Sequence, residues 1–362
     1  MEVVFQIYPD DAASHVRKGE NMKYPEFLRE GGAIGFVAPS FGCNIEPYRT
    51  GFDHAQERFR ALGHPVVLGP NCYEGRGLGI SNTPRACGRE LTEGYLSPDS
   101  DVLISCGGGE LMCEILDYVD FEKIRQGKPK WYMGYSDNTN MTFLLTTLCD
   151  TAAVYGPCAP AFGMEPWHPA ISDAYRLLRG QKLSMGGYPQ WEKEAKKDEE
   201  HPLEPYHVTE PRVIRAFGGE EPMRFSGRLV GGCMDCMINL LGTCYDGVKD
   251  FAGRYKEDGT IWFMESCDLS VLAIRRAVWQ MKHAGWFEHV KGFLIGRPLC
   301  HGQEIMGLDQ YRAVTELLES FRVPVLMDVD LGHLPPMMPL ISGSLATVTY
   351  GEQKISVEME LR

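Results

Sequence analysis

Short apolar runs alternate with amphipathic stretches through the first half of the chain. The apolar runs cover residues 33–38, 65–68 and 102–105, and the stretches with helical spacing cover residues 48–62, 85–96 and 110–116. Each pair predicts a strand followed by a helix. Because this alternation builds a mostly parallel sheet with helices on both faces, it predicts an α/β domain.

A second region with the same texture begins after Gly227. Its apolar runs cover residues 228–230, 260–264, 290–295 and 325–327, and its helical patterns cover residues 233–241, 269–284 and 310–321. Near the end, runs at residues 346–350 and 354–358 flank Gly351-Glu352. Two such runs around a short polar turn are typical of a hairpin. We therefore predict a second α/β domain with an antiparallel ending.

The segment between these regions has a different composition. Prolines recur along it, and residues 192–200 are almost all charged. Long irregular segments of this kind are often linkers or lids over sites, so we predict a linker or mobile flap. Trp191 within it is a candidate substrate contact. The predicted division is residues 1–165, 166–225 and 226–362.

Composition narrows the class of protein. The chain has 362 residues, 44% of them hydrophobic, which suits a protein with two domains. Its formal net charge is −13 and it contains no run rich in lysine and arginine. This charge argues against nucleic-acid polymers and anionic membrane surfaces as partners. No basic segment followed by an apolar one opens the sequence, and no apolar run is long enough to cross a bilayer. We therefore expect a cytoplasmic location.

The cysteines give no sign of a metal centre. Twelve are scattered without regular spacing, and we expect most of them to be reduced core thiols. Cys233 and Cys236 form a C-x-x-C motif, which could bind zinc or act as a redox dithiol. A zinc site needs a second pair or a histidine at suitable spacing, which is missing. Core packing is therefore the preferred interpretation, and neither a metal nor another cofactor is expected.

The sequence around Ser136 resembles a nucleophile elbow. An apolar stub at residues 131–134 leads into a tight turn with Ser136 at its apex, and a helix-like stretch follows at residues 141–148. A serine on such a strand-to-helix turn projects its hydroxyl above the sheet edge. Gly134 suits the close backbone approach that this turn requires. The alternative is that Ser136 only caps the following helix.

Glycines after another predicted strand offer groups to stabilise an oxyanion. Gly107-Gly108-Gly109 follows residues 102–105. Because ligands bind at the carboxyl ends of parallel strands, we expect this loop to lie beside Ser136. Backbone amides near Gly108 and Gly109, together with that of Asp137, could then receive the negative charge of an acyl-transfer intermediate. A phosphate cradle is the weaker alternative, since neither standard glycine-rich nucleotide motif is complete.

A serine nucleophile needs a base and a group that orients the base. His333 is the best-placed histidine, because it follows a buried-looking strand and is held between Gly332 and two prolines; His301 is a weaker competitor. Glu265 ends an apolar run, where a carboxylate needs a partner. Asp328 and Asp330 are alternatives for orienting His333. Asp268 is predicted to be the N-cap of the helix at residues 269–284.

Several motifs together resemble the LD-carboxypeptidase and microcin C immunity family of serine peptidases. They occur in the family's order from about Ala33 to the C-terminus: Gly35-Phe36-Val37-Ala38-Pro39-Ser40, Gly108-Gly109, Gly134-Tyr135-Ser136-Asp137, Gly227-Arg228-Leu229-Val230-Gly231-Gly232, the strand ending in Glu265, and Asp330-Leu331-Gly332-His333. The resemblance implies that Ser136 is the nucleophile, Glu265 the orienting acid and His333 the general base. It also implies a flavodoxin-like N-terminal domain, a C-terminal domain with a small barrel-like sheet, and a homodimer.

The resemblance leaves the substrate open. An LD-carboxypeptidase releases the C-terminal D-amino acid of muropeptides, whereas an immunity-type enzyme cuts peptidyl- or aminoacyl-nucleotide conjugates. Glu110 stands beside the glycine pair where many family members have other residues, so we expect it to contact the substrate. Two rival functions are a non-catalytic binding protein for the same small ligands and a metal-assisted hydrolase built on Glu265, Asp328, Asp330 and His333.

Overall fold

The computed structural model describes residues 21–362. Within this range the strands are β1 (Ile34–Val37), β2 (Val66–Leu68), β3 (Val102–Ser105), β4 (Trp131–Gly134), β5 (Ala153–Tyr155), β6 (Ser184–Gly186), β7 (Gln190–Trp191), β8 (Glu210–Pro211), β9 (Arg215–Phe217), β10 (Met223–Cys233), β11 (Thr260–Glu265), β12 (Val290–Gly296), β13 (Val325–Val329), β14 (Leu340–Ser342), β15 (Leu345–Gly351) and β16 (Lys354–Glu360). The α-helices are α1 (Tyr48–Ala61), α2 (Pro84–Leu96), α3 (Phe121–Gln126), α4 (Thr139–Cys149), α5 (Pro169–Leu178), α6 (Met234–Leu240), α7 (Val248–Arg254), α8 (Val271–His283) and α9 (Gln310–Leu318). Short 3₁₀ helices cover Met112–Tyr118, Ser136–Asn138, Ala159–Gly163 and Glu319–Phe321.

The first sheet is parallel except at one edge. Its strand order is β14-β5-β4-β3-β1-β2, and β1 to β5 all pair in parallel. The strands β1, β3 and β4 are buried along their whole length, as expected where helices cover both faces. The antiparallel edge strand β14 comes from near the end of the chain. The predicted parallel sheet is therefore confirmed, and this edge strand is an addition to it.

The second sheet is mixed. Its strand order is β6-β16-β15-β10-β11-β12-β13-β9. The central strands β10 to β13 pair in parallel, while β15 and β16 form the antiparallel hairpin predicted around Gly351. The α/β fold class predicted from the sequence is confirmed.

The segment predicted to be a linker or flap contributes to the second sheet. Its strand β6 pairs with β16 and its strand β9 pairs with β13, which places them at the two ends of the strand order. Short strands of this kind are held by backbone hydrogen bonds, which side-chain patterns do not reveal. The predicted boundaries at residues 165 and 225 stay a prediction, and residues 1–20 of the first predicted domain lie outside the described range.

Two local predictions need correction. The helix expected at residues 110–116 is the 3₁₀ helix Met112–Tyr118. Helix α8 is capped by Ser270, whose hydroxyl accepts a hydrogen bond from the Ala273 amide, and not by Asp268. The Asp268 amide instead donates to the Asp235 carboxylate, which holds Asp268 in the preceding loop.

None of the helices in residues 21–362 has the length and continuous apolar character that crossing a membrane requires. All twelve cysteines are free thiols.

Candidate active site

Ser136 lies at the apex of a strained turn between β4 and α4. Its φ angle is +62°, in the left-handed region that residues other than glycine rarely adopt. Gly134 permits the turn, because a Cβ there would lie 2.8 Å from the Cβ of Asn138. The N-cap position of α4 is Asn138, and the Ser136 hydroxyl makes its hydrogen bond to His333 instead. The geometry is that of the predicted elbow and not of a helix cap.

The structure brings Ser136, His333 and Glu265 into one hydrogen-bonded chain. The Ser136 Oγ lies 2.9 Å from Nε2 of His333, and Nδ1 of His333 lies 2.8 Å from Oε2 of Glu265. Glu265 is 1% exposed at the end of β11. Such a chain lets the imidazole accept a proton from the serine while the carboxylate holds the ring and its tautomer.

Tyr155, at the end of β5, completes the environment of this chain. Its hydroxyl donates a 2.6 Å hydrogen bond to Oε1 of Glu265 and accepts one of 3.2 Å from the Ser136 amide. It therefore ties the nucleophile's backbone to the carboxylate across the two sheets. Sequence reasoning missed Tyr155, although its place at the end of a short apolar run, residues 152–155, is the same signal that singled out Glu265.

The charges of this site reinforce each other. Burial by itself lowers the pKa of His333, but the facing Glu265 carboxylate and a contact with Cys267 outweigh it, so that the pKa lies well above its usual value. Burial by itself raises the pKa of Glu265, but the charge and hydrogen bond of His333, together with the Tyr155 hydroxyl, lower it overall. A buried carboxylate and imidazole that stabilise each other's ions are typical of catalytic sites.

The loop after β13 holds His333 in place. Gly332 has φ +96°, and a Cβ on it would lie 2.6 Å from Oε2 of Glu265. Only glycine allows the loop to pass this close to the carboxylate. Asp330 anchors the same loop by accepting a hydrogen bond from the Tyr188 amide and pairing with the buried Arg297 at 2.7 Å.

The alternatives for the acid and the base lie elsewhere. Asp328 accepts a hydrogen bond from the Tyr311 hydroxyl, and Asp330 pairs with Arg297, so neither orients His333. His301 faces Asp328 at 4.0 Å and not Ser136. Among residues 21–362, no group of three or more histidine, cysteine, aspartate or glutamate side chains is arranged to hold a metal ion.

Three loops meet around the serine, as expected at the carboxyl ends of parallel strands. Ser40, after β1, donates a 2.6 Å hydrogen bond to the Asp137 carboxylate, which also accepts from the Met112 amide. A Cβ on Gly108, after β3, would lie 3.0 Å from Ser136 Oγ. Gly109 instead lies against the Ser40 hydroxyl. Gly108 is therefore the glycine that lies against the reacting oxygen.

The Asp137 side chain is buried and fixes the position of the turn. It is 3% exposed, and burial raises its pKa in spite of the hydrogen bonds that it accepts. Those hydrogen bonds fix the turn relative to the neighbouring loops. The part of Asp137 suited to an oxyanion is its backbone amide, directly after the serine.

A cavity of about 470 Å³ opens onto Ser136 and His333. Glu110, the predicted substrate contact, is among its lining residues, together with Asp235 and Asp268. Sequence reasoning missed Asp235 and Asp268 as lining residues. The available signal was again position, since Asp235 follows β10 and Asp268 follows β11.

The structure does not bring Trp191 to this cavity. The ring is 6% exposed and packs against His301, with a centroid separation of 5.2 Å, and against the Arg297 guanidinium. Its indole N–H donates to the Pro211 carbonyl. This packing does not support a direct contact between Trp191 and a ligand beside Ser136. Cys233 and Cys236 are buried beside the elbow, and the Cys236 thiol lies 3.6 Å from the Ser136 carbonyl oxygen.

Comparison with known proteins finds related sequences that extend over most of the chain. The sequence models for the LD-carboxypeptidase N-terminal and C-terminal domains match residues 34–156 and 226–348. The microcin C7 self-immunity protein MccF of Escherichia coli is 25% identical over 342 residues, which are 91% of this chain and 94% of that protein.

Solved structures share the fold. An MccF-like protein from Bacillus anthracis superposes with a TM-score of 0.78 at 21% identity, over 93% of this chain and 100% of that one. MccF in complex with aspartyl sulfamoyl adenosine superposes with a TM-score of 0.76 at 21% identity, over 93% and 98%.

Proposed function

The chain belongs to the LD-carboxypeptidase family, and from this premise we propose that it is a serine hydrolase whose catalytic triad is Ser136, His333 and Glu265. The observation that carries the proposal is the hydrogen-bonded chain from Ser136 Oγ through His333 to Glu265, with the serine on a left-handed turn. Family membership supports the general class, a peptidase-like or MccF-type hydrolase.

The proposed reaction is an acyl transfer to Ser136. His333 takes the Ser136 proton through Nε2 as the oxygen attacks the substrate carbonyl, and Glu265 stabilises the imidazolium that forms. The backbone amides of Asp137 and of the glycine loop at Gly108 stabilise the oxyanion. His333 then protonates the leaving nitrogen, and water attacks the acyl-enzyme with the same histidine as base.

The first candidate substrate is a muropeptide that loses its C-terminal D-amino acid by cleavage of an L,D amide bond. The match of both halves of the chain to the LD-carboxypeptidase domains supports this candidate. The reaction requires no metal ion or organic cofactor, because the serine supplies the nucleophile and the histidine moves the protons.

The second candidate substrate is an aminoacyl- or peptidyl-nucleotide conjugate. Phe41 and Tyr48, at the rim of the cavity, are 43% and 52% exposed. Exposed aromatic rings next to a cavity are suited to stacking on a nucleobase. The similarity to MccF over 91% of this chain supports the same candidate.

One experiment tests the class and separates the two substrates. Wild type and Ser136→Ala are incubated with an L,D-linked muropeptide tetrapeptide and with an aminoacyl-sulfamoyl adenosine, and the products are identified by mass spectrometry. We expect wild type to cut one of them and Ser136→Ala to lose at least about 10³-fold of the turnover.

The matched control is Ser172→Ala, which removes a hydroxyl from α5 and should leave turnover unchanged. Circular dichroism checks that both variants fold. Undiminished turnover by folded Ser136→Ala rules out the triad. Stoichiometric binding without consumption of either compound indicates the non-catalytic binding protein instead.

A further inference from the structure

Residues 328–334, which we call the histidine loop, include the end of β13 and the proposed base, and one buried arginine holds them at both ends. Arg297 directly follows β12 and is 1% exposed. Its Nη1 donates a 3.0 Å hydrogen bond to the Asp328 carbonyl oxygen, and its Nη2 donates one of 3.3 Å to the Leu334 carbonyl oxygen. Nη2 also lies 2.7 Å from Oδ1 of Asp330. The guanidinium therefore spans the histidine loop from its first residue to its last.

Part of the segment predicted to be a linker packs against the same arginine. The Tyr188 amide donates a 2.7 Å hydrogen bond to Oδ2 of Asp330. The Trp191 ring lies over the Arg297 guanidinium, with 5.2 Å between the guanidinium carbon and the ring centroid. The backbone amide of the next residue donates a 2.7 Å hydrogen bond to the Pro335 carbonyl oxygen. This segment therefore contacts the histidine loop, the residue after it and the arginine that holds it.

A buried guanidinium is a costly way to fill this space if folding is its only purpose. Its removal from water carries a desolvation penalty, and apolar side chains of similar volume often fill a buried site at a lower cost in free energy. The planar fork of an arginine, however, binds several oxygens in a fixed geometry that a lysine does not reproduce. The oxygens that Arg297 binds belong to the residue after His333 and to two residues shortly before it.

The position of a general base matters for the rate, because a shift of about 1 Å lowers it by about 10²-fold. We propose that Arg297 is a positioning residue for His333, and that Trp191 acts on the reaction by holding the Arg297 guanidinium rather than by touching the substrate. The proposal deepens the proposed function and rests on it, because His333 is the base of that function. It gives Trp191 a role that agrees with its burial.

The test compares two buried arginines. Arg297→Lys keeps the charge that pairs with Asp330 but removes the fork that reaches both carbonyl oxygens. The matched control is Arg228→Lys, since Arg228 is 4% exposed, pairs with Asp258 and lies over the Tyr255 ring. It lies beside the first residue of β11, whereas the triad acid is the last. Both variants should lose stability in urea unfolding.

Only Arg297→Lys should also lower the reactivity of Ser136. We expect its kcat to fall at least about tenfold with little change in KM, and the rate at which a fluorophosphonate labels Ser136 to fall by a similar factor. The fluorophosphonate reports on the nucleophile and its base without a choice of substrate. Equal losses in Arg297→Lys and Arg228→Lys, or no loss in Arg297→Lys, overturn the proposal.

A second readout follows His333 itself and needs no turnover. In protein that contains isotopically labelled histidine, the ring signals of His333 are assigned by nuclear magnetic resonance from their absence in His333→Gln. These signals report the hydrogen bond to Glu265. Arg297→Lys should shift them and Arg228→Lys should not. Unchanged His333 signals in folded Arg297→Lys overturn the proposal.

This readout also keeps the two proposals apart. If the wild type neither hydrolyses a substrate nor reacts with the fluorophosphonate at Ser136, the proposed function fails, while the signals of His333 still decide whether Arg297 sets its position. If the wild type reacts and Arg297→Lys reacts equally fast, the hydrolase stands and the positioning role fails.

Trp191→Leu tests the same arrangement where Arg297→Lys does not fold. Loss of the ring removes its contact with the guanidinium, so kcat and the labelling rate should each fall about threefold. The matched control is Trp167→Leu, which removes a ring of the same segment that lies over Arg58, at 4.4 Å. That variant should keep both rates. Equal rates in the two tryptophan variants overturn the role of Trp191.

Discussion

At the scale of single residues, the pair formed by His333 and Glu265 determines how the proposed activity depends on pH. The base must be neutral to accept the Ser136 proton, and Glu265 holds the pKa of His333 well above 6.5. Activity therefore falls as the pH drops through this raised pKa. We expect the acid limb of kcat/KM to have its inflection above pH 6.5.

Replacing Glu265 by glutamine tests this cause. Without the carboxylate, burial lowers the pKa of His333 and is opposed only by the contact with Cys267, so the inflection should move to lower pH. The maximal rate should fall by about 10²-fold or more because the ring loses its orienting charge. An inflection that stays in place in the folded variant contradicts the assignment of Glu265.

Tyr155 offers a second test at this scale. Tyr155→Phe leaves an oxygen of Glu265 and the Ser136 amide without their partner, and we expect kcat to fall about tenfold with little change in KM. The control is Tyr95→Phe, which removes a buried hydroxyl that accepts from the Lys130 amide far from the serine. That variant should lose stability but keep kcat. Equal loss of kcat in both variants would show that Tyr155 has only a structural role.

Part of this site could be predicted from the sequence. Ser136 could be found from local pattern, because an apolar stub, a glycine and a helical stretch are contiguous. His333 and Glu265 are 68 residues apart and His333 and Ser136 are 197 apart, so their contact depends on how the sheets pack. For the same reason the role of Trp191 could not be predicted from the composition of its segment. The ring, which we expected to contact the substrate, is buried against Arg297.

At the scale of elements, the backbone conformation of the loop after β13 affects the position of the Glu265 carboxylate. Gly332 and Gly302 both have positive φ, +96° and +81°, but a Cβ at Gly332 collides with Glu265 while one at Gly302 meets nothing within 4 Å. The two alanine variants therefore separate conformational strain from the collision. Each should lose about 1 kcal/mol from the left-handed conformation.

Only Gly332→Ala should also displace the carboxylate. We expect its kcat to fall at least about tenfold, since small misplacements of catalytic groups are costly, whereas Gly302→Ala keeps its turnover. Urea unfolding and steady-state kinetics of both variants measure the two effects. Full activity in Gly332→Ala would show that the loop is not tightly fitted to Glu265.

Elements with a clear side-chain pattern were predictable, and the edge strands β6 and β14, which lack one, were not. Helix α1 and strand β11 have enough residues to show their periodicity, and their predicted bounds differ from the observed ones by one residue. The edge strands β6 and β14 have three residues each, and backbone pairing alone defines them. The prolines in the segment that contains β6 favoured a linker in the prediction. Side-chain patterns also carry no information on which edge of a sheet is free to pair with a short strand.

At the scale of the whole molecule, the proposed site exists only while the two sheets are held together. Ser136 follows β4 and Tyr155 ends β5 in the first sheet, whereas Glu265 ends β11 and His333 follows β13 in the second. The chain itself crosses between them, since β14 pairs with β5 although β13 and β15 belong to the second sheet.

This crossing predicts that the two sheets unfold as one unit. A further contact joins them: the Cys233 amide of β10 donates to the hydroxyl of Thr139 in α4, the helix that follows β4. Unfolding of either sheet would leave buried polar groups of the other without their hydrogen-bond partners, which makes a half-folded state costly in free energy. Hydrogen exchange read by mass spectrometry along a urea titration should therefore show peptides from β4 and β11 losing protection at the same urea concentration. Two separated transitions would mean that each half is stable alone, and that the contacts around β14 and α4 only dock two independent domains.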